Sequence, residues 1–148
     1  MANMAVQQEE AAAREKKSNK KVMGGLLMFG LILAHSVMRW VVLVGAVAAL
    51  VGARLAGDRG QEGWGGRTGF LYTLALDVQV LIGLVIWTLE TGWRLNAFFA
   101  FIHPVTMVLA MLVAHFGRRR QVRSVPAAGF WAYAASLGLV LAAIPWRA

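Results

Sequence analysis

The chain has 148 residues, about one domain's worth, with 59% hydrophobic and only 15% charged residues, against roughly 25% charged in a soluble globular protein. The charges cluster and leave four apolar stretches of about 18 residues or more, each long enough to cross a bilayer, so a soluble enzyme domain is excluded. There is no cysteine, hence no disulfide framework, thiolate nucleophile, iron–sulfur cluster or thiolate zinc site, and 14 of the 15 Lys and Arg behind the net charge of +8 flank the apolar stretches, where anionic headgroups rather than nucleic acid attract them.

Residues 1–21 read as a polar tail that opens with Gln7, Gln8, Glu9 and Glu10 and turns basic at Arg14, Lys16, Lys17, Lys20 and Lys21. Its Ala, Glu and Lys content favours helix over Gln7 to Lys17. The apolar run that follows continues into a full span without an A-x-A cleavage signal, so it reads as retained rather than as a signal peptide. Residues 22–148 then form the transmembrane domain.

Segment one, Val22 to Ala53, is 32 residues, about 48 Å as a helix against a hydrocarbon core of about 30 Å. Tilt, overhang or an interfacial start is required, and Gly24, Gly25 and Gly30 mark the place for a bend. Segment two is Gly69 to Leu89, segment three Ala97 to Phe116 and segment four Ala127 to Ile144. The glycine-bearing stretch Gly57 to Arg67, the short Glu90 to Asn96 and the basic Gly117 to Pro126 read as loops. Short loops join antiparallel neighbours, so the expected fold is all-α: an integral membrane four-helix bundle, up-down-up-down. Small residues at four-residue spacing (Ala48, Gly52, Ala56; Ala134, Gly138, Ala142) permit close helix approach. Trp64, Trp87, Trp93, Trp131 and Trp146 suit the interfacial belt.

Four spans put seven basic residues on each side of the membrane, so the positive-inside rule is tied. A cytoplasmic N-terminus is then the default, because the charged tail need not be translocated. The expected location is the bacterial inner membrane.

Polar groups inside a span are expensive and ask for an explanation. They are His35, Ser36 and Arg39 in segment one, Asp77 and Gln79 in segment two, and His103 and His115 in segment three. Arg39 shares a helix face with His35; it either snorkels to the headgroups or pairs inward with Asp77 or an anionic cofactor group. Gln79 lies about 200° around the helix from Asp77, so the two face different partners, and an interhelical hydrogen bond is expected for Gln79. His103, Met107, Met111 and His115 form a drifting stripe in which the methionines read as core. Pro104 frames the start of the third helix or kinks it.

Two histidines on different spans are what axial ligation of a b-type haem requires. In an up-down bundle helices one and three are diagonal, and depth pairs His35 with His103 if the first span proper ends at Ala53. Should it start at Val22, His35 falls between His103 and His115. The other reading gives the histidines ordinary interhelical hydrogen bonds.

The ordered set His35-Ser36 with Arg39-Trp40, Gln79 before Leu81-Ile82-Gly83-Leu84, His103 with Met107, Ala114-His115-Phe116-Gly117-Arg118 and Ile144-Pro145-Trp146 resembles a family of small bacterial four-span membrane proteins labelled cytochrome b-like. The resemblance runs from about Leu31 to Trp146. It implies haem b and electron transfer, to or from quinone or a partner subunit. His35 and His103 would be axial ligands, Arg39 would face a haem propionate, and Asp77 would serve protonation. Where that family carries an acidic residue before the third-span histidine, this chain has Ile102. A non-catalytic accessory subunit of a larger respiratory or photosynthetic complex is the alternative. Its support is small size, the absence of a soluble domain and the basic tail. A stand-alone enzyme is the weaker expectation.

Overall fold

The computed structural model describes residues 2–55, 63–122 and 126–145 and is all-helical, with no strand among the described residues. Helix α1 is Ala2–Leu55, α2 is Trp64–Leu89, α3 is His103–Val122 and α4 is Pro126–Ala143. A 3₁₀ turn at Gly92–Arg94 and a π-helical turn at Phe98–Ile102 connect α2 to α3. Three helical stretches are long and apolar enough to cross a membrane: Gln7–Leu55, Trp64–Leu89 and Phe98–Gln121. The expected fourth span is shorter. The apolar part of α4, Ala128–Ala143, reaches about 24 Å at 1.5 Å per residue.

The chain divides into two units, Met1–Ala34 and His35–Ala148. The first is helical from Ala2, which extends the helix expected over Gln7 to Lys17, and the assignment is unbroken through Gly24, Gly25 and Gly30. Its Arg14 and Glu10 approach to 3.8 Å as an exposed i,i+4 pair, a contact of small energetic weight. The expected domain edge between Lys21 and Val22 falls inside α1.

The second unit holds the core. Val42, Ala46 and Ala49 of α1, Tyr72 and Leu76 of α2, Met107, Ala110 and Ala114 of α3, and Tyr133, Val140 and Ala143 of α4 are buried together. Met107 packs there, as expected of a flexible apolar side chain. Most of the large apolar side chains instead point outward, among them Val44, Leu71, Leu81, Leu112 and Trp131. That inversion suits a chain whose solvent is hydrocarbon.

Helix α2 starts earlier than its composition suggests. Gly63 is its extended N-cap (φ −90°, ψ 177°), and Trp64 to Arg67, expected in a loop, are helical. The glycines there serve packing: a Cβ added at Gly52 would sit 3.0 Å from the Gly65 Cα and collide with the Thr68 hydroxyl. The small-residue stripe in α1 is therefore a real close approach. Its third member, Ala56, and most of the loop at 57–67 lie outside the described residues, as do Arg123, Trp146 and Arg147.

Pro104 explains the π turn. Proline has no N–H to give the carbonyl four residues back, and its ring crowds that carbonyl. The carbonyl belongs to Ala100, and the Trp87 indole Nε1–H donates to it at 3.1 Å. Trp87 is thus a structural donor, and its ring meets Trp93 edge to face at 5.3 Å.

Candidate functional site

Among the polar residues of the apolar segments, His35, Gln79 and His103 come together. The imidazoles of His35 and His103 have centroids 6.3 Å apart with planes at 66°. Gln79, only 4% exposed, donates from Nε2 to His35 Nε2 at 3.2 Å; this is the interhelical bond expected of it. The ring proton of His35 is then on Nδ1. Neither His35 Nδ1 nor Gln79 Oε1 has a hydrogen-bond partner, although both are buried. Unpaired buried polar atoms are costly, and here two of them adjoin the same cleft.

His103 is held differently. Its Nδ1–H donates to the Ala143 carbonyl at 2.8 Å. That carbonyl lies in the last turn of α4, where helix carbonyls lack intrahelical donors. A carbonyl can only accept, so Nε2 of His103 keeps its lone pair. The backbone thereby fixes the tautomer that a carboxylate at position 102 would otherwise fix. Phe98 and Phe99 flank the ring, with centroids at 6.0 and 6.3 Å. Gly83 backs His35: a Cβ there would stand 3.0 Å from His35 Cε1.

The cleft between the histidines, lined also by Val80, Leu84, Pro104 and Met107, has a volume of about 30 Å³. That is the share of one liquid water molecule. A larger groove of about 730 Å³ lies along α1 and the start of α2, between Trp40, Val47, Leu55 and Trp64. Among the described residues its lining includes no histidine, carboxylate or side-chain amide to orient a ligand.

Asp77 and Arg39 do not meet. Asp77 accepts from His115 Nε2 at 2.8 Å and does not line the cleft. The cause is helical geometry. Gln79 faces α1, and Asp77, two residues away and about 200° around, faces α3. Arg39 makes no ion pair among the described residues; its guanidinium lies 5.5 Å from the centroid of the neighbouring Trp40 ring. No spacing rule in the sequence joins His115 to Asp77, so this pair emerges only from the fold.

No group of three or more His, Asp or Glu able to hold a bare metal ion occurs among the described residues. The two imidazoles stand as a pair. The centroid spacing would admit two metal–nitrogen bonds of about 2 Å each only with a lone-pair nitrogen of each ring turned to the midpoint, and His35 Nε2 is bonded to Gln79 instead.

No family model, curated protein or solved structure matches this chain.

Proposed function

We propose that the chain is a b-type cytochrome subunit of the bacterial inner membrane, an up-down-up-down four-helix bundle with its N-terminus in the cytoplasm. Contacts running in opposite chain order support the topology: Gly45 adjoins Tyr72, and Gly52 adjoins Gly65. Haem b would lie between His35 and His103, and the chain would pass electrons to quinone or to a partner within a larger membrane complex.

The observation that carries this reading is the spacing of two imidazoles from different helices, with no third ligand beside them among the described residues. Two axial nitrogens are all that a haem iron asks of the protein, because the macrocycle supplies the other four. When bound, the group would store one electron by iron valence change. The residues' parts are to bind and orient. The Ala143 carbonyl holds His103 with Nε2 free, and His35 would have to give up its bond from Gln79 to present Nε2. Arg39, one turn from His35, offers a cation to an anionic edge.

As bonded here, only His103 offers a free lone pair, because His35 Nε2 accepts from Gln79 and Nδ1 carries the proton, and the cleft is far narrower than a macrocycle. That narrowness favours the second reading, an accessory subunit whose buried histidines are interhelical hydrogen-bonding groups. One experiment separates the two: a reduced-minus-oxidised absorption spectrum of the purified protein, with His35→Ala and His103→Ala beside it. A b-type signal lost in both variants supports the cytochrome. No signal in helical, monodisperse protein overturns it in favour of the accessory subunit.

A further inference from the structure

The groove along α1 and the start of α2 has an order of polarity. Its volume of about 730 Å³ is that of a site for a drug-sized molecule, which is usually apolar with a few polar groups to fix orientation. Trp40 lies at one end, and Leu55 and Trp64 lie at the other, where α1 stops and α2 starts. Ala48 and Gly52 line it between them, and their small size keeps it open.

The polar end is the inner one. The Arg39 guanidinium lies 5.5 Å from the centroid of the Trp40 ring, and Arg39 is half-buried. Among the described residues no hydrogen bond or ion pair reaches it. His35 adjoins Gly83 and Gly45 adjoins Tyr72, so Arg39 sits beside the middle of α2, Trp64–Leu89. A cation with five N–H donors and no acceptor, within apolar spans, asks for a partner.

The outer end offers no such group. Arg54 lies over the Phe130 ring of α4 at 4.6 Å, and Arg67 does not line the groove. A phospholipid has the opposite order, with its charged head at the membrane surface and its chains inward. The molecule that fits here has an uncharged, hydrogen-bond-accepting head at the inner end and a long apolar tail running outward.

We propose that the groove holds a prenylated quinone, its ring beside Trp40 with one carbonyl accepting from Arg39, and its isoprenoid tail along α1 toward Trp64. A quinone ring is flat and neutral and carries acceptors only, which complements a side chain that can only donate. An indole face suits such a ring by stacking. The fifteen residues from Trp40 to Leu55 give the tail about 22 Å of helix to lie against. The site rests on the cytochrome reading for its role, since His35 is one turn from Arg39, while binding itself needs no haem. Five donors are enough for a carbonyl and a propionate together.

Quinones quench indole fluorescence on contact. In phosphatidylcholine proteoliposomes, a ubiquinone with a short isoprenoid tail is expected to quench saturably, and the tailless ring to bind roughly tenfold more weakly. Arg39→Ala removes the donors and Ala48→Phe fills the groove. Each is expected to raise the apparent Kd roughly tenfold, with circular dichroism showing that the helices persist; Ala48→Phe carries the test where Arg39→Ala does not fold. Leu112→Phe, exposed on α3, is expected to change nothing. Quenching that never saturates, or is equal in all variants, means partition into lipid and overturns the proposal. Displacement of the quinone by phosphatidylglycerol overturns it too and gives the groove to a phospholipid. Saturable quenching without a b-type spectrum keeps the site and removes the cytochrome, whereas a b-type spectrum with unsaturable quenching does the reverse.

Discussion

The Tyr72 hydroxyl donates to Ser136 Oγ at 2.7 Å, a bond whose direction is set because the Ser136 proton goes to the Ala110 carbonyl at 2.7 Å. Tyr72 and Ser136 are fully buried, so this relay ties α2, α4 and α3 together in a place without water. Tyr72→Phe removes one hydrogen bond and leaves Ser136 still bonded to Ala110. The expected cost is about 1 kcal/mol. Ser136→Ala leaves the tyrosine hydroxyl buried without an acceptor, and the expected cost rises to about 1–3 kcal/mol. Thermal unfolding in detergent checks the order. A Tyr72→Phe variant less stable than Ser136→Ala would show that the relay does not carry that weight.

Gly83 gives a test of the histidine cleft that leaves both imidazoles in the chain. A Cβ at this position approaches His35 Cε1 to 3.0 Å, so Gly83→Ala asks the ring to shift by a few tenths of an ångström. Gly83→Leu drives it out of position. Under the cytochrome reading, Gly83→Leu is expected to abolish the b-type signal while the far-ultraviolet spectrum stays helical, and Gly83→Ala to retain the signal. An undiminished signal in Gly83→Leu would place the ligand away from His35.

The parts of this arrangement that are legible in the sequence are those set by period and solvent. Apolar length locates the helices, and the 200° between Asp77 and Gln79 implies different partners, which are His115 and His35. The meeting of His35 with His103 follows from depth counting. What stays hidden depends on tertiary contacts without a local signature. Ala143 contributes a carbonyl, a group every residue has, and nothing in its side chain marks it as the acceptor for His103. The helical start at Trp64 is masked by Gly65 and Gly66, whose low helix propensity is outweighed by the close approach of α1 at Gly52.

Thr91 is a place where stability can be gained. It has φ 51° and ψ 50°, the left-handed region, and is the one described non-glycine residue with positive φ. A β-branched side chain is poorly suited to that conformation. The neighbouring glycine answers a different constraint, since a Cβ at Gly92 would collide with the Trp87 indole. Thr91→Gly relieves about 1–2 kcal/mol of strain and forfeits part of it to the freer unfolded chain. A net gain of about 0.5–1 kcal/mol is expected, read as a higher midpoint of thermal unfolding. Thr91→Val, which keeps the branch, is expected to bring no gain.

Two glycines on the facing helices α3 and α4 are expected to respond in opposite ways to the same substitution. At Gly117 an added Cβ would come within 2.8 Å of the Ala132 Cβ and 3.3 Å of the Gly129 carbonyl oxygen. Those atoms belong to short or backbone groups that cannot swing aside. Gly117→Ala therefore has to separate the helices, and overpacking of this kind costs about 1–3 kcal/mol. Gly138 belongs to the small-residue stripe that the sequence marks for close approach, yet nothing lies within 4 Å of a Cβ placed there. With no neighbour to displace, Gly138→Ala gains helix propensity of up to about 1 kcal/mol. Parallel unfolding measurements on the two variants check the contrast. A destabilised Gly138→Ala would mean that a surface absent from the single chain packs against α4.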